Sequence, residues 1–336
     1  MNSYNHYIGI DNFRLFAAFL VIAIHTSPLE MFSPVGDFIL TRIIARLAVP
    51  FFFMASGFFL LGGCNCDSDK LKKFLKKALL IYIVAMLIYL PINIYNGYFG
   101  SENLPVTIVK DLLFDGTFYH LWYLPAGMLG GVIAWFSIKH LGVKNAILLS
   151  LFLYVIGLLG DSYFGFAQGI PFLKSVYTNL FKIFDYTRNG VFFAPIFFVL
   201  GGSITKKKSA LTLLDNLIGF FVSFLGMLAE GLFLHSLDVQ RHDCMYIMLV
   251  PCVYFMFSAL SFIKGERKAD VSLLALSMYI IHPMVIIFVR GFAKLLGLQS
   301  LFIDNSLIHY FAVAVISLIF SYAIVKLAKH PFWHRN

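Results

Sequence analysis

Apolar residues in this chain come in stretches of about 20, the length at which an α-helix crosses a bilayer core. Short polar loops separate them. The stretches run roughly 9–27, 36–62, 75–95, 119–138, 145–164, 189–205, 212–235, 243–263, 272–296 and 305–328. They predict about ten transmembrane helices, not the ten-residue alternation of membrane strands. The sixth is short and carries Pro195 and the Gly201-Gly202 pair. Segment 101–118 is amphipathic and is expected to lie along the interface or dip into it. The longer loop 165–188 is expected to hold an interfacial helix around Phe172 to Phe184. The expected fold class is therefore all-α, a polytopic membrane bundle formed by one transmembrane domain over 1–336. Helices satisfy every backbone polar group internally, which lipid demands.

Composition agrees. Of 336 residues, 60% are hydrophobic and 13% charged, about half the charged share of a soluble domain. The net charge of +9 does not indicate nucleic-acid binding, because the basic residues sit in short loops between apolar runs. Lys70, Lys72, Lys73, Lys76, Lys77, Lys139, Lys144, Lys206, Lys207, Lys208, Lys264, Arg267, Lys268, Lys326, Lys329 and Arg335 fall in alternate loops and the tail. The opposite loops hold only Lys110, Lys174, Lys182, Arg188 and Arg241, with Lys294 near the outer end of the ninth segment. The positive-inside rule then predicts both termini in the cytosol of a multi-pass protein in a bacterial-type plasma membrane. No basic region followed by a cleavage site precedes the first segment, so no signal peptide is expected. Cys64 and Cys66 lie in a loop expected to be cytosolic and reducing. They lack a further ligand pair, so no metal site is expected.

Ionisable residues at membrane depth cost several kcal/mol and usually face a cavity. Arg14 and His25 are separated by about 1100° of helical rotation and about 16 Å of rise, which puts them on one stripe. Asp11, one turn before Arg14, can pair with it. His25 has the side chain best suited to exchange a proton near neutral pH. Arg42 and Arg46, one turn apart, either snorkel to the interface or present a positive pair to an anion. His120 is a candidate polar contact. Beside it, Trp122 and Tyr123 suit an aromatic belt. Glu230 needs a cation, a proton or water, and Arg241, His242 and Asp243 can close over the same cavity. His282-Pro283 repeats the theme, with Arg290 two turns on; Pro283 frees a carbonyl around Tyr279.

These residues carry a resemblance. Arg14, ten residues and His25 resemble the first-helix signature of the acyltransferase-3 family of membrane proteins. Pro50-Phe51-Phe52-Phe53-Met54-Ala55-Ser56-Gly57-Phe58 is similar to its Pro-aromatic-Ser-Gly-Phe stretch. His120-Leu121-Trp122-Tyr123-Leu124 resembles its His-x-Trp-x-Leu motif, and Ser277 to His282 its late Ser-x-x-x-x-His segment. Within the family the sequence is most similar to the membrane half of vancomycin-resistance-type serine racemases. The resemblance implies that this half brings L-serine to a cytosolic racemase half, which makes D-serine for altered cell-wall precursors. Pyridoxal phosphate is then expected only in that other half, with no cofactor in this chain, and the end at Asn336 is either natural or precedes that domain. The resemblance also implies a proton-transfer role for His25, with Arg14 its partner. The family's Arg-x-x-Arg stretch for the acyl donor reads Lys72-Lys73-Phe74-Leu75-Lys76-Lys77 here, which keeps the charge and loses the bidentate fork.

Two functions stay open beside a plain anchor. In the first, the chain imports or delivers L-serine, with Glu230 for the ammonium and Arg42, Arg46 or Arg241 for the carboxylate; His120, Trp122 and His282 complete the expected lining. In the second, it is an acyltransferase: His25 activates an acceptor for attack on acyl-CoA, and Lys72, Lys73, Lys76 and Lys77 hold the donor phosphates. Expected partners are membrane lipid, L-serine and a fused or associated racemase domain, with a homodimer left open and nucleic acid excluded.

Overall fold

The computed structural model describes residues 6–100, 103–204, 211–266 and 270–328. Lys206 to Lys208, Arg267, Lys268 and the tail from Lys329 to Asn336, all used in the orientation argument, lie outside them. The described residues are helical apart from loops and a bridge between His6 and Gly265. In chain order the helices are α1 Ile8–Thr26, α2 Pro34–Phe38, α3 Ala48–Leu60, α4 Ser68–Tyr95, α5 Leu104–Lys110, α6 Tyr123–Leu159, α7 Phe164–Gln168, α8 Pro171–Leu180, α9 Ala194–Ser203, α10 Leu213–Leu237, α11 Leu249–Ser261, α12 Val271–Leu295 and α13 Ser306–Ala328.

Among the described residues, seven helical stretches are long and apolar enough to cross a membrane: α1, Pro34–Cys64, α4, α6, α10, α12 and Ser306–Leu327. The expected fourth and fifth segments both lie in α6, a run of 37 residues interrupted at Gly142, whose φ is +74°. Only glycine reaches that backbone region without strain, so the apolar run turns there. The expected sixth and eighth segments are the shorter α9 and α11. The interfacial helix expected near Phe172 is α8.

The chain folds as two compact units, Met1–Val49 with Ala259–Asn336, and Pro50–Ser258. In the first, α1, α12 and α13 share a core of Ala18, Ile22, Ala275, Met278, Val285, Ile286, Val289, Val313 and Ala314. The small residues let backbones approach closely, the usual solution when lipid gives no hydrophobic drive between helices. A Cβ at Gly9 would lie 2.4 Å from the Leu260 carbonyl oxygen. Helix α1 stops at Ser27, in the left-handed region at φ +44°, whose N–H bonds the Ala23 carbonyl at 3.0 Å. Pro28 then bars continuation, and its carbonyl accepts from the Ser306 hydroxyl at 2.9 Å.

The stretch after α2 departs from expectation. Residues Ile39–Ile43 widen into a π-turn and Ile44–Leu47 tighten into a 3-10 turn before α3 begins. Arg42 and Arg46 therefore do not share one α-helical face: Arg42 is exposed and Arg46 half-buried. Changing the residues per turn changes the direction of each side chain, which four-residue spacing alone cannot reveal.

In the second unit α6 packs against α9 and α4. Helix α9 is buried on nearly every side, which explains its apolar circumference. Its glycines and those facing it set the spacing: a Cβ at Gly57 would lie 2.2 Å from the Phe198 carbonyl oxygen, and one at Gly201 would lie 2.1 Å from that of Met54. Upstream, the Asn189 side-chain oxygen accepts from the Val191 and Phe192 amides at 2.9 and 3.1 Å, shaping the entry to α9.

Candidate functional site

In the first unit the late proline has the expected effect. Pro283 has no N–H to give to Tyr279, and the freed Tyr279 carbonyl accepts from His282 Nδ1 at 2.8 Å, with the Met278 carbonyl at 3.2 Å. Carbonyls only accept, so Nδ1 carries a proton. His282 is fully buried. The half-buried His25 of α1 stacks on it, with ring centroids 5.3 Å apart and planes inclined by 27°. Two family-motif histidines, far apart in sequence, thus meet within one helix pair. Nearer the start of α1, Asp11 accepts from Arg14 Nη1 at 2.6 Å and also pairs with His6. Arg14 is therefore held by a carboxylate, as its spacing predicted.

In the second unit His120 is buried among aromatic rings, with Tyr89, Phe118 and Tyr119 at 4.9, 5.7 and 5.5 Å. Trp122 packs on Phe53 and Phe193. Its ring also carries a cation that the sequence reading left among loop bases: the Arg188 guanidinium lies 4.7 Å from the Trp122 ring centre and 4.3 Å from that of Tyr186. Arg188 Nε is buried without a hydrogen-bond partner. A guanidinium lying over two ring faces is held by cation–π attraction. Its signal in the sequence was the aromatic density of 177–193.

Glu230 receives partners the sequence did not offer. Oε1 accepts from the Ile247 amide at 2.6 Å and the Tyr163 hydroxyl at 2.7 Å, and Oε2 from the Met248 amide at 2.9 Å. The carboxylate thereby covers backbone donors at the start of α11, where a helix favours negative charge. Protein donors therefore meet both oxygens of the carboxylate. Fully buried Asp161 does similar work: Oδ1 accepts from the Cys244 and Met245 amides at 2.7 and 3.0 Å. Arg241 bonds the Asp161 carbonyl through its own amide and lays its guanidinium 3.4 Å from the Phe181 ring centre. Burial lowers the Arg241 pKa, while nearby Asp185, Tyr186 and Asp161 push the other way.

Asp111, Asp115 and Asp185 form an acidic group not singled out in the sequence, with carboxylate oxygens within 4.8 Å of one another. Lys110 pairs with Asp185, and Tyr98 donates to Asp111 at 2.6 Å. Burial pushes Asp115 up to about 6 and also raises Asp111. Lys72, Lys73, Lys76 and Lys77 stand exposed on the first turns of α4, with Lys72 3.6 Å from Asp69.

A family model described as an acyltransferase domain matches residues 7–326. An "Amino-acid racemase" of Enterococcus faecalis is 46% identical over 329 residues, 97% of this chain and 46% of that protein. A second "Amino-acid racemase" of the same organism is 38% identical over 333 residues, 96% of this chain and 46% of that protein. A "Serine/alanine racemase" of Enterococcus gallinarum is 35% identical over 335 residues, 98% of this chain and 47% of that protein. The chain spans about half the length of the curated relatives it matches. No solved structure matches. Motif order, the paired histidines and a match along almost the whole length agree, and the chain belongs to the acyltransferase-3 family of multi-pass membrane proteins, alongside relatives named as racemases.

Proposed function

We propose that this chain is the membrane half of a vancomycin-resistance-type serine racemase, binding or importing L-serine and delivering it to a cytosolic racemase half for D-serine synthesis. The observation that carries the reading is near-full-length similarity to proteins named as amino-acid and serine/alanine racemases, whose chains are about twice as long. In this reading the protein sits in a bacterial plasma membrane with both termini cytosolic, and pyridoxal phosphate belongs to the racemase half. Arg188, lying over the rings of Trp122 and Tyr186, suits the substrate carboxylate, with Arg241, Arg42 and Arg46 as further cations. Glu230 is committed to Tyr163, Ile247 and Met248, which favours a structural role for it over ammonium binding. Proteoliposomes holding the chain should accumulate labelled L-serine, and Arg188→Gln should reduce uptake while the protein stays folded. Well-folded protein that takes up no L-serine would sink the proposal.

The stacked His25 and His282 favour a second reading. Acyl transfer needs a base that draws a proton from an acceptor hydroxyl or amine as it attacks a thioester, and then hands that proton to the departing thiolate. His25 is the more accessible ring and suits that role, with Arg14 below it. Acyl-CoA would then bind the α4 lysines, and neutralising Lys72, Lys73, Lys76 and Lys77 would weaken binding. No binding at millimolar acyl-CoA would exclude this reading.

A further inference from the structure

Two chain segments of the second unit build the Arg188 cluster. Residues 111–123 supply Trp122, and residues 185–189 supply Tyr186 and Arg188 itself. Contacts near their starts join them. Asp111–Asp115 winds as a π-turn that stops at Gly116. A Cβ at Gly116 would lie 2.3 Å from the Trp122 amide nitrogen, so the turn sits directly against the Trp122 backbone. Facing it, the Asp185 amide donates to Asp115 Oδ2 at 3.1 Å, Lys110 pairs with Asp185, and the Phe114 and Phe184 ring centres lie 4.7 Å apart. Beyond Asp185, the Thr187 hydroxyl donates to the Gly157 carbonyl at 2.7 Å and Asn189 Nδ2 to the Tyr186 carbonyl at 2.9 Å. Tyr186 and Arg188 are therefore held between an uncharged anchor at 187–189 and a charged contact at 185.

The charged contact responds to a proton. Asp115 Oδ1 is buried and has no hydrogen-bond partner among the described residues. Carboxylate oxygens of Asp111 and Asp185 lie within 4.8 Å of one of its own. Lys110, Asp111 and Asp185 are the charges that act on it. Tyr98 donates to the Asp111 carboxylate at 2.6 Å, Tyr82 donates to the Asp111 carbonyl at 3.2 Å, and Arg241 feels Asp185. Burial acts most strongly on Asp115 and favours its neutral form, as do the Asp185 and Asp111 charges; the Asp185 amide and Lys110 favour the ionised form and lose, so its pKa stands at about 6. A proton on Asp115 removes one of three like charges. It also turns one oxygen into a donor that a neighbouring carboxylate can accept. Without it, three carboxylates repel one another around Lys110.

We propose that the Asp115–Asp185 contact is a proton-operated latch: protonated Asp115 holds the 111–123 and 185–189 segments together and keeps Arg188 in place for a substrate carboxylate, and ionised Asp115 loosens them. The link to a substrate rests on the serine-delivery reading, whereas the latch is a property of the two segments. Asp115 acts through Arg188 and is a positioning residue.

The test uses the full chain in proteoliposomes with the same pH on both sides, so that labelled L-serine enters down its own gradient. Its KM should be about fivefold lower at pH 5 than at pH 7.5, the low end of usual coupling between sites, with the change centred near pH 6. The maximal rate should change less. Asp115→Asn is neutral at every pH and should keep the low KM throughout, an outcome that mere damage to the fold would not produce. Amide exchange over 184–189, corrected for intrinsic rates, should be slower at pH 5 than at pH 7.5 in the wild type and indifferent to pH in Asp115→Asn. Should that variant fail to fold, the wild-type KM and exchange profiles decide. A wild-type KM that ignores pH, or a high KM in folded Asp115→Asn at every pH, would overturn the latch. Exchange separates the two readings. No uptake at any pH, with exchange that follows pH, would sink serine delivery and support the latch. Uptake with exchange that ignores pH would sink the latch and spare serine delivery.

Discussion

Replacing Glu230 separates its two roles. The carboxylate accepts three hydrogen bonds, from the Ile247 and Met248 amides and the Tyr163 hydroxyl. Bonds to a charged acceptor are each worth about 1.5–3 kcal/mol. Ile247 and Met248 are exposed, so their amides can find other acceptors, and the lower bound applies. Glu230→Ala should then lose about 4.5 kcal/mol. Glu230→Gln keeps one oxygen for two donors but turns an NH2 toward the Met248 amide, and should lose about 1.5–2 kcal/mol, including the lost charge at the α11 N-terminus. At roughly 2 °C per kcal/mol for a protein of this size, the expected falls in Tm are about 9 °C and about 3–4 °C. The assay is thermal unfolding in detergent, followed by labelled L-serine uptake at a temperature where each variant is folded. Uptake should survive in Glu230→Gln once folding is controlled. An unchanged Tm in both variants, with uptake lost, would refute the capping argument and return Glu230 to the substrate.

Three further outcomes are expected. Gly201→Ala places a methyl 2.1 Å from the Met54 carbonyl oxygen, so the backbones must separate; we expect a loss of about 2–3 kcal/mol, read as a fall in Tm and in monodisperse yield, with Gly291→Ala, where a Cβ meets nothing within 4 Å, as the neutral comparison. Asp115 has its pKa raised to about 6 by burial, so its protonated form is the one the fold favours. Its stabilising contribution is complete below the ordinary carboxylate value of 3.8 and is lost as pH rises through about 6. Hydrogen exchange over 104–116, corrected for intrinsic rates, should show more protection at pH 5 than at pH 7.5, and Asp115→Asn should flatten that difference. Diethyl pyrocarbonate should modify half-buried His25 well before fully buried His282, as followed by peptide mass spectrometry.

The bundle was legible because apolar run length and basic loops are local properties. Pro283 was equally readable: a missing N–H must release the carbonyl four residues back, and His282 takes it. The spacing of Asp11 and Arg14 gave their ion pair for the same reason. Other features depend on chain segments that composition cannot join. Asp161 looks like a turn residue at the end of an apolar run, yet it organises amides more than 80 positions later. Glu230 looked costly because its donors, the 247–248 amides and Tyr163, lie outside its own helix. Arg188 was one base in a loop until folding brought the rings of Trp122 and Tyr186 against it.

The winding of 39–47 sharpens the point. A four-residue interval means a shared face only if the helix keeps 3.6 residues per turn. Here a π-turn and a 3-10 turn follow one another, and the two arginines they carry differ in exposure. Such departures cost backbone energy and often mark functional positions. The irregular stretch packs against α1, the helix that carries His25. Restoring regular α-helix by deleting one residue within 39–43 would rotate every later side chain of that helix by about 100°. Arg46, half-buried with its Nε shielded from solvent, would then exchange its setting for another. If the irregularity serves the site, that deletion should impair uptake more than Arg42→Ala does; if Arg42→Ala is the more damaging change, the winding only relieves packing.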